Sequence, residues 1–393
     1  MRIYLDHNAT TPMRPEVLEA MMPYLEMHFG NANSVHAWGR EARRALEEAR
    51  EVVASAVGAR EKESVVFVSS GTEADNLALK GAAWAARDRG RHIVTSAVEH
   101  HAVINTCLSL EEQGFEVTYV PVDGEGLIDP ETVKGSLRTD TTVISLMHAN
   151  NETGVIFPIA EVGRLARERG IVFHTDAVQT VGRLPIDVES LGVDLLSLSG
   201  HKIYGPKGVA ALYVRPGTRM VPTMHGGQQE RGRRAGTENV AAAVGLARAV
   251  DLAIASMRIE AHRQALLRDR LEAGITGRIE GTQRNGHRER RLANTSNISV
   301  RGADEESLVL ALDLEGIAAS AGAACTSGSL ERSHVLQAMG RRPEVHGGAV
   351  RFSLGAGTTE AEIERVLDLL PAVVERIRAA AGCSDPQAAL AYR

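Results

Sequence analysis

Five lysines stand in this chain of 393 residues, at positions 62, 80, 134, 202 and 207, and one is placed to do chemistry. Lys62 lies in a charged EKE run, Lys80 and Lys134 fall on helical patterns, and Lys207 sits in a Gly-Pro turn. Lys202 directly follows the apolar run DLLSLS (194–199), with Ser199 and His201 beside it. Desolvation at such a place lowers an amine's pKa and makes it a nucleophile toward an aldehyde. Asp176, in FHTDAVQ at another strand end, suits a metal, a catalytic base or a ring nitrogen that needs a counter-charge. A helix-capping aspartate is the ordinary alternative. His174 and Asp176 share one side of their strand and could form a metal pair, but no third ligand lies nearby in sequence. Ser70-Gly71-Thr72 opens a helix, where backbone N–H groups and the helix dipole favour an anion; a simple N-cap is an equally good reading. Amine, carboxylate and anion seat together meet the needs of pyridoxal phosphate.

Two further residues invite chemistry. Cys325 lies in AASAGAACTSGS (318–329), a stretch with almost nothing bulky to anchor it in a core. Most lone cysteines are buried and inert, but this loop suggests exposure and mobility, hence a reactive thiol. Cys107, on a helical pattern, and Cys383, near the tail, are read as inert. Arg351, in VRFSLG, has the planar fork that grips a carboxylate with two bonds; a surface salt bridge would also explain it.

The elements that must position these groups alternate. VVFVSS (65–70) precedes a helical pattern ending near Arg89, with Gly90 placed as its C-cap. HIVTS (92–96), FEVTYV (115–120), VISLM (143–147), IVFHT (171–175), DLLSLS (194–199) and VAALYV (209–214) follow, interleaved with helices such as PIAEVGRLARERG, which stops on Gly170. This alternation predicts an α/β fold with a mostly parallel sheet covered on both faces. Ligands in such sheets sit beyond the carboxyl ends of the strands. There the chain places Ser69–Thr72, Glu99-His100-His101, His148–Asn151, Asp176 with Gln179, and Ser199–Lys202. A long helical stretch over 238–273 leads to a smaller α+β part with NISV, a helix near 304–315, VRFSLG and a final helix from Thr359. We expect a large domain over 13–258 and a small one over 1–12 and 259–393 carrying Cys325 and Arg351.

Composition narrows the function classes. Formal net charge is −6, which gives no electrostatic reason to expect nucleic acid. The basic run QRNGHRERR (283–291) reads as a solvated loop. No GxGxxG follows a strand, and GHKIYGPKG lacks the hydroxyl residue of a Walker loop. Three cysteines without a CxxC pair fit a reducing cytosol. MRIYLDHNATTP shows no secretory leader, and no apolar stretch is expected to span a bilayer.

YLDHNATTP, SSGTEADN, EHHAV, HANNETG, FHTDAVQ, SGHKIYGPKG, RRAGTEN, AACTSGSLERSHVL and VRFSLG, running from Tyr4 to Gly355, resemble the NifS/IscS-type cysteine desulfurases. These form part of the class V aminotransferase branch of fold-type I pyridoxal-phosphate enzymes. The resemblance implies a large, mostly parallel seven-stranded-type sheet domain with a smaller α+β domain. It also implies pyridoxal 5'-phosphate carried on Lys202, its pyridine nitrogen paired with Asp176 and its ring stacked by His100. Gln179 and Asn151 would hold the phenolic side and the substrate. Gly71, Thr72, Ser199 and His201 would hold the phosphate, with Thr237 supplied by the second subunit of a homodimer near Arg231, Arg233 and Arg234. Arg351 would bind the carboxylate of L-cysteine, and Asn8 and Asn150 would line the pocket. Sulfur would pass to Cys325 as a persulfide, with His100 as the acid, and then to a NifU/IscU-type scaffold, where Cys325 could contact a nascent iron–sulfur cluster. A selenocysteine lyase or an aminotransferase of the same fold is the runner-up; an aminotransferase has no use for Cys325.

Overall fold

A computed structural model describes residues 2–321 and 332–382. Among the described residues twelve strands form three sheets, β1 (Ile3–Tyr4), β2 (Val65–Val68), β3 (His92–Ser96), β4 (Glu116–Val120), β5 (Thr141–Ser145), β6 (Val172–Asp176), β7 (Leu195–Ser199), β8 (Ala210–Val214), β9 (Thr282–Asn285), β10 (Thr295–Val300), β11 (Ile317–Ala318) and β12 (Gly348–Ser353). The main sheet has seven strands in the order β2-β8-β7-β6-β5-β3-β4. Helices cover both faces, and every residue of β2, β3, β5, β7 and β8 is buried, the polar ones among them included. The edge strand β4 is the wettest, and β6 is buried except at Val172.

Strands β3 to β7 pair in parallel, whereas β8 is antiparallel to both neighbours, β7 and β2. Two reversals leave β2 running with β7. The carboxyl ends of β2, β3, β5, β6 and β7 therefore open on one edge, and the polar residues after them share one crevice. VISLM, expected as a strand, begins two residues earlier, as Thr141–Ser145.

A second sheet, β12-β10-β9, is antiparallel and packs its own core of Ile298, Val300, Val350, Phe352, Ile363, Val366 and Leu370. Ile3 and Leu5 join that core, and β1 pairs with β11 beside it. The helix Val240–Arg278 buries its first three turns in the large core and Leu271 and Ile275 in the smaller one, so it ties the two together. Part of this helix is long and apolar enough to cross a bilayer, contrary to expectation, but half of that part is buried as core.

Gly170 caps its helix in the left-handed conformation (φ 61°), as expected. Gly90 does not cap. Its helix ends at Ala86, and glycine is required there because a Cβ would lie 2.1 Å from the carbonyl oxygen of Asp140. The run 283–291 is not simply a solvated loop either. Residues 283–285 belong to β9, and Arg291 is buried against the Glu272 carboxylate. Thr359 opens the last helix through a reciprocal capping box with Glu362.

Candidate active site

Lys202 closes the short turn Gly200–Lys202 that follows β7. Its Nζ donates to two backbone carbonyls of the N-terminal segment, Asn8 O at 2.5 Å and Ala9 O at 2.9 Å. Asp176, the last residue of β6, is 7% exposed, and its Oδ1 accepts from the N–H of Val178 at 2.9 Å. Burial pushes its carboxyl up to about 6, opposed by that hydrogen bond and by the positive charge of Lys202.

Behind Asp176 lies a residue the sequence reading missed. Asp75 projects from the helix Gly71–Ala86 and is fully buried, with its Oδ1 3.6 Å from His174 Nε2. Burial, and then the negative charge of Asp176, hold its carboxyl well above the ordinary range. Each carboxylate disfavours ionisation of the other, and the stronger upward push falls on Asp75, while Lys202 and the Val178 N–H favour the charge on Asp176. His174 bridges Ser145 Oγ at 2.9 Å and Ser197 Oγ at 3.0 Å, so hydroxyl groups engage both ring nitrogens. Asp75 lies off the helix face that carries Thr72, Asn76 and Lys80, and an acid outside that polar face is the signal that could have found it.

The anion seat assembles from two elements. Ser70 caps the helix Gly71–Ala86 by accepting from Glu73 N at 3.1 Å. A Cβ on Gly71 would lie 3.7 Å from Ser199 Cβ, so the helix start and the end of β7 adjoin. The buried hydroxyl of Ser199 has no hydrogen-bond partner. Such a group needs an explanation, and an anion held jointly with the first N–H groups of the helix supplies one. His201 stands beside it, with Nδ1 3.2 Å from Thr10 Oγ1, and burial pushes its pKa down to about 4.

His100 caps the helix His101–Glu111. Its Nδ1 accepts from Ala102 N at 3.1 Å, which leaves the proton on Nε2. Burial, then Lys202, His101 and His334, push its pKa down to about 4. Arg351 is 2% exposed on β12, and its Nη2 pairs with Asp6 Oδ1 at 2.7 Å while Nη1 donates to Asn151 O at 3.1 Å. The pair is part-buried, with the Arg351 side chain inside the fold. Its Nε–H, buried and without a partner, is a donor available to a carboxylate.

Several expected roles change. The side chain of Asn8 donates to Asn151 O and Thr295 Oγ1 and accepts from Arg183 and Asn294, so all four of its hydrogen bonds are internal. Asn150 donates to Val98 O and accepts from Glu152 N, Thr153 N and Thr153 Oγ1. Both side chains are buried and bonded to other parts of the protein. Gln179 sits between Asn8 O (3.1 Å) and Arg183 (3.0 Å). Arg183, also missed, reaches His7 O and Lys202 O as well; a chain so rich in arginine marks none of them out. Asn151 is half-buried beside this network, and Thr72 follows Gly71 in the first turn of its helix. Thr237 is exposed. Arg231 pairs with Glu47 and Glu63, Arg233 donates to the Glu63 carbonyl, and Arg234 pairs with Glu73. Cys325 and Cys383 lie outside the described residues. Cys107 is buried, and its thiol is pushed up to about 12.

The fold and the lysine–aspartate–anion arrangement fit a pyridoxal-phosphate transferase. The family model for Aminotransferase class-V matches residues 3–366. Cysteine desulfurase IscS of Dictyoglomus turgidum is 52% identical over 376 residues, 96% of this chain and 95% of that protein. A solved NifS-like protein superposes with a TM-score of 0.90 at 38% identity, covering 96% of this chain and 100% of that one. Another solved structure, SspA in complex with cysteine, gives 0.79 at 36% identity over 90% of this chain and 99% of that one. The chain belongs to the class-V aminotransferase family, in its NifS/IscS-type cysteine desulfurase branch. That membership implies pyridoxal phosphate, and the partnerless Ser199 hydroxyl beside a helix start fits its phosphate.

Proposed function

We propose that this chain converts L-cysteine to L-alanine and captures the sulfur as a persulfide on Cys325. The observation that carries this reading is Lys202 Nζ, fixed on two carbonyls in the crevice where Asp176 ends one strand and Ser199 the next. In that crevice Lys202, Asp176, His100, Gln179, Asn151 and the seat formed by Gly71, Thr72, Ser199 and His201 would hold pyridoxal phosphate. The cofactor supplies an electron sink that weakens the bonds at the substrate's Cα and Cβ. Lys202 would be the base that moves the Cα proton. Arg351 binds the substrate carboxylate through Nε, with its guanidinium already oriented by Asp6 and Asn151 O. His100, neutral near pH 7, presents its Nε2 proton to the reacting centre. Cys325, as thiolate, attacks the substrate's sulfur; the S–Cβ bond breaks, its electron pair returns to carbon, and a proton there completes alanine.

We assign the working unit as a homodimer in which Thr237 reaches the partner's phosphate seat. Exposed apolar side chains at Leu25, Met27, Phe29, Val35 and Trp38 support a covered face. The persulfide would be passed, in a reducing cytosol, to a scaffold protein of the NifU/IscU type. Incubation with L-cysteine, followed by mass spectrometry, tests the reading. Alanine release with one added sulfur on Cys325 is expected, and Cys325→Ser should abolish that sulfur while cofactor remains bound. Alanine formed with no sulfur on Cys325 would contradict it.

A further inference from the structure

The segment preceding the helix Val240–Arg278 is strained where the proposed chemistry makes no demand on it. Glu230 (φ 45°) and Arg231 (φ 56°) are consecutive non-glycine residues in the left-handed region, and Gly232 (φ 75°) extends the run. Such residues persist only where their surroundings over-determine them. Here the surroundings do so. Glu230 is 6% exposed and forms a two-pronged pair with Arg50 at 2.6 and 2.9 Å. Its Oε2 also accepts from Phe67 N at 3.0 Å, within β2, and Arg50 donates to Val65 O at 2.7 Å. Four residues on, Arg234 donates to Glu73 from Nε at 2.8 Å and from Nη2 at 3.3 Å. Glu73 in turn accepts from Ser69 N at 2.7 Å and Ser69 Oγ at 2.5 Å. One short segment thus grips β2 at one end and the first turn of the helix Gly71–Ala86 at the other. The turn Ser69–Thr72 lies between the two grips.

An anion seat built from backbone N–H groups works only while its turn keeps its shape. The Glu73 carboxylate would by itself repel an anion at the same helix end, and Arg234 offsets that charge. Burial alone would raise the Glu73 carboxyl, but Arg234 and Ser69 hold it below its ordinary value, so the pair is ionic.

From this juxtaposition we infer that Glu73 and Arg234 are a positioning pair for the cofactor's phosphate seat, with the Arg50–Glu230 clamp holding Arg234 in place. The inference rests on reading Ser70–Thr72 and Ser199 as that seat. Its test compares pyridoxal phosphate with pyridoxal, which lacks the phosphate. Dissociation constants of both from apoprotein would be measured for the native chain, Glu73→Gln, Arg234→Met and the double variant, with the unfolding temperature of each apoprotein as a control for folding. Each single variant should bind pyridoxal phosphate about tenfold more weakly and pyridoxal within about twofold of the native value. The double variant should be no worse than the weaker single, because the two side chains act as one unit. If Arg234→Met does not fold, Arg234→Lys, which keeps the charge but loses the fork, carries the same comparison. Equal weakening of both ligands, or of neither, overturns the positioning role. A native chain that binds both ligands equally well would instead sink the reading of the seat itself.

Discussion

The Lys202 amine and the Gln179 amide donate to the same acceptor, the carbonyl oxygen of Asn8, at 2.5 and 3.1 Å. The N-terminal segment, remote in sequence, thereby fixes the amine and a neighbouring site residue together. Asn8 can serve as this anchor because its own side chain is held four ways. Asn8→Ala should therefore act through stability and alignment. Four bonds, two buried and two part-buried, at about 0.5–1 kcal/mol each predict a loss of about 2–4 kcal/mol, read as a lowered unfolding temperature of the apoprotein.

Asp176→Asn keeps the shape of the side chain and removes its charge. Cofactor should still attach to Lys202, but turnover should fall by about 100-fold or more, the magnitude typical of losing one preorganised electrostatic contact. Steady-state alanine production checks this. An Asn variant with native turnover would show that no ring charge is being balanced there.

Arg351→Lys replaces a fork by a point charge and should raise the KM for cysteine about tenfold or more while changing kcat little. Because Arg351 also pairs with Asp6 at 2.7 Å, Arg351→Ala should in addition lower the unfolding temperature. Kinetics and thermal melts on the two variants separate these effects.

The pH dependence of apoprotein stability follows from opposed groups. His100, His148 and His201 are pushed down to about 4, each by burial first, from an ordinary 6.5. Their contribution is complete above about pH 6.5 and is lost as pH falls toward 4. Burial raises Glu99 to about 8 from 4.5. Its contribution is complete below about 4.5 and is lost as pH rises toward 8. Unfolding temperatures should therefore peak in the mildly acidic range and fall on both sides. Glu99→Gln should flatten the alkaline fall; an unchanged alkaline limb in that variant would show that Glu99 carries no proton in the folded state.

Much of this site was legible because chemistry-bearing residues follow apolar runs. Lys202 after DLLSLS and Asp176 at the end of IVFHTD could be assigned to one crevice from strand direction alone. Other features depend on contacts between distant segments. Nothing in YLDHNATTP shows that Asn8 turns its side chain into the fold, or that Asp6 meets Arg351. Asp75 reads in the sequence as one more polar residue on a helix that also carries Thr72, Glu73, Asn76 and Lys80, and only the packing shows that it is buried. The clamp of Arg50 on Glu230 joins residues 180 positions apart, and no local pattern announces it.

The central claim is that Lys202 carries pyridoxal phosphate, and borohydride reduction of cofactor-loaded protein, followed by peptide mapping, tests it most directly. A single pyridoxyl group on the peptide containing Lys202 is the expected result. The same group on Lys62, Lys80, Lys134 or Lys207, or no modified lysine in protein that has been fully loaded, would contradict the account.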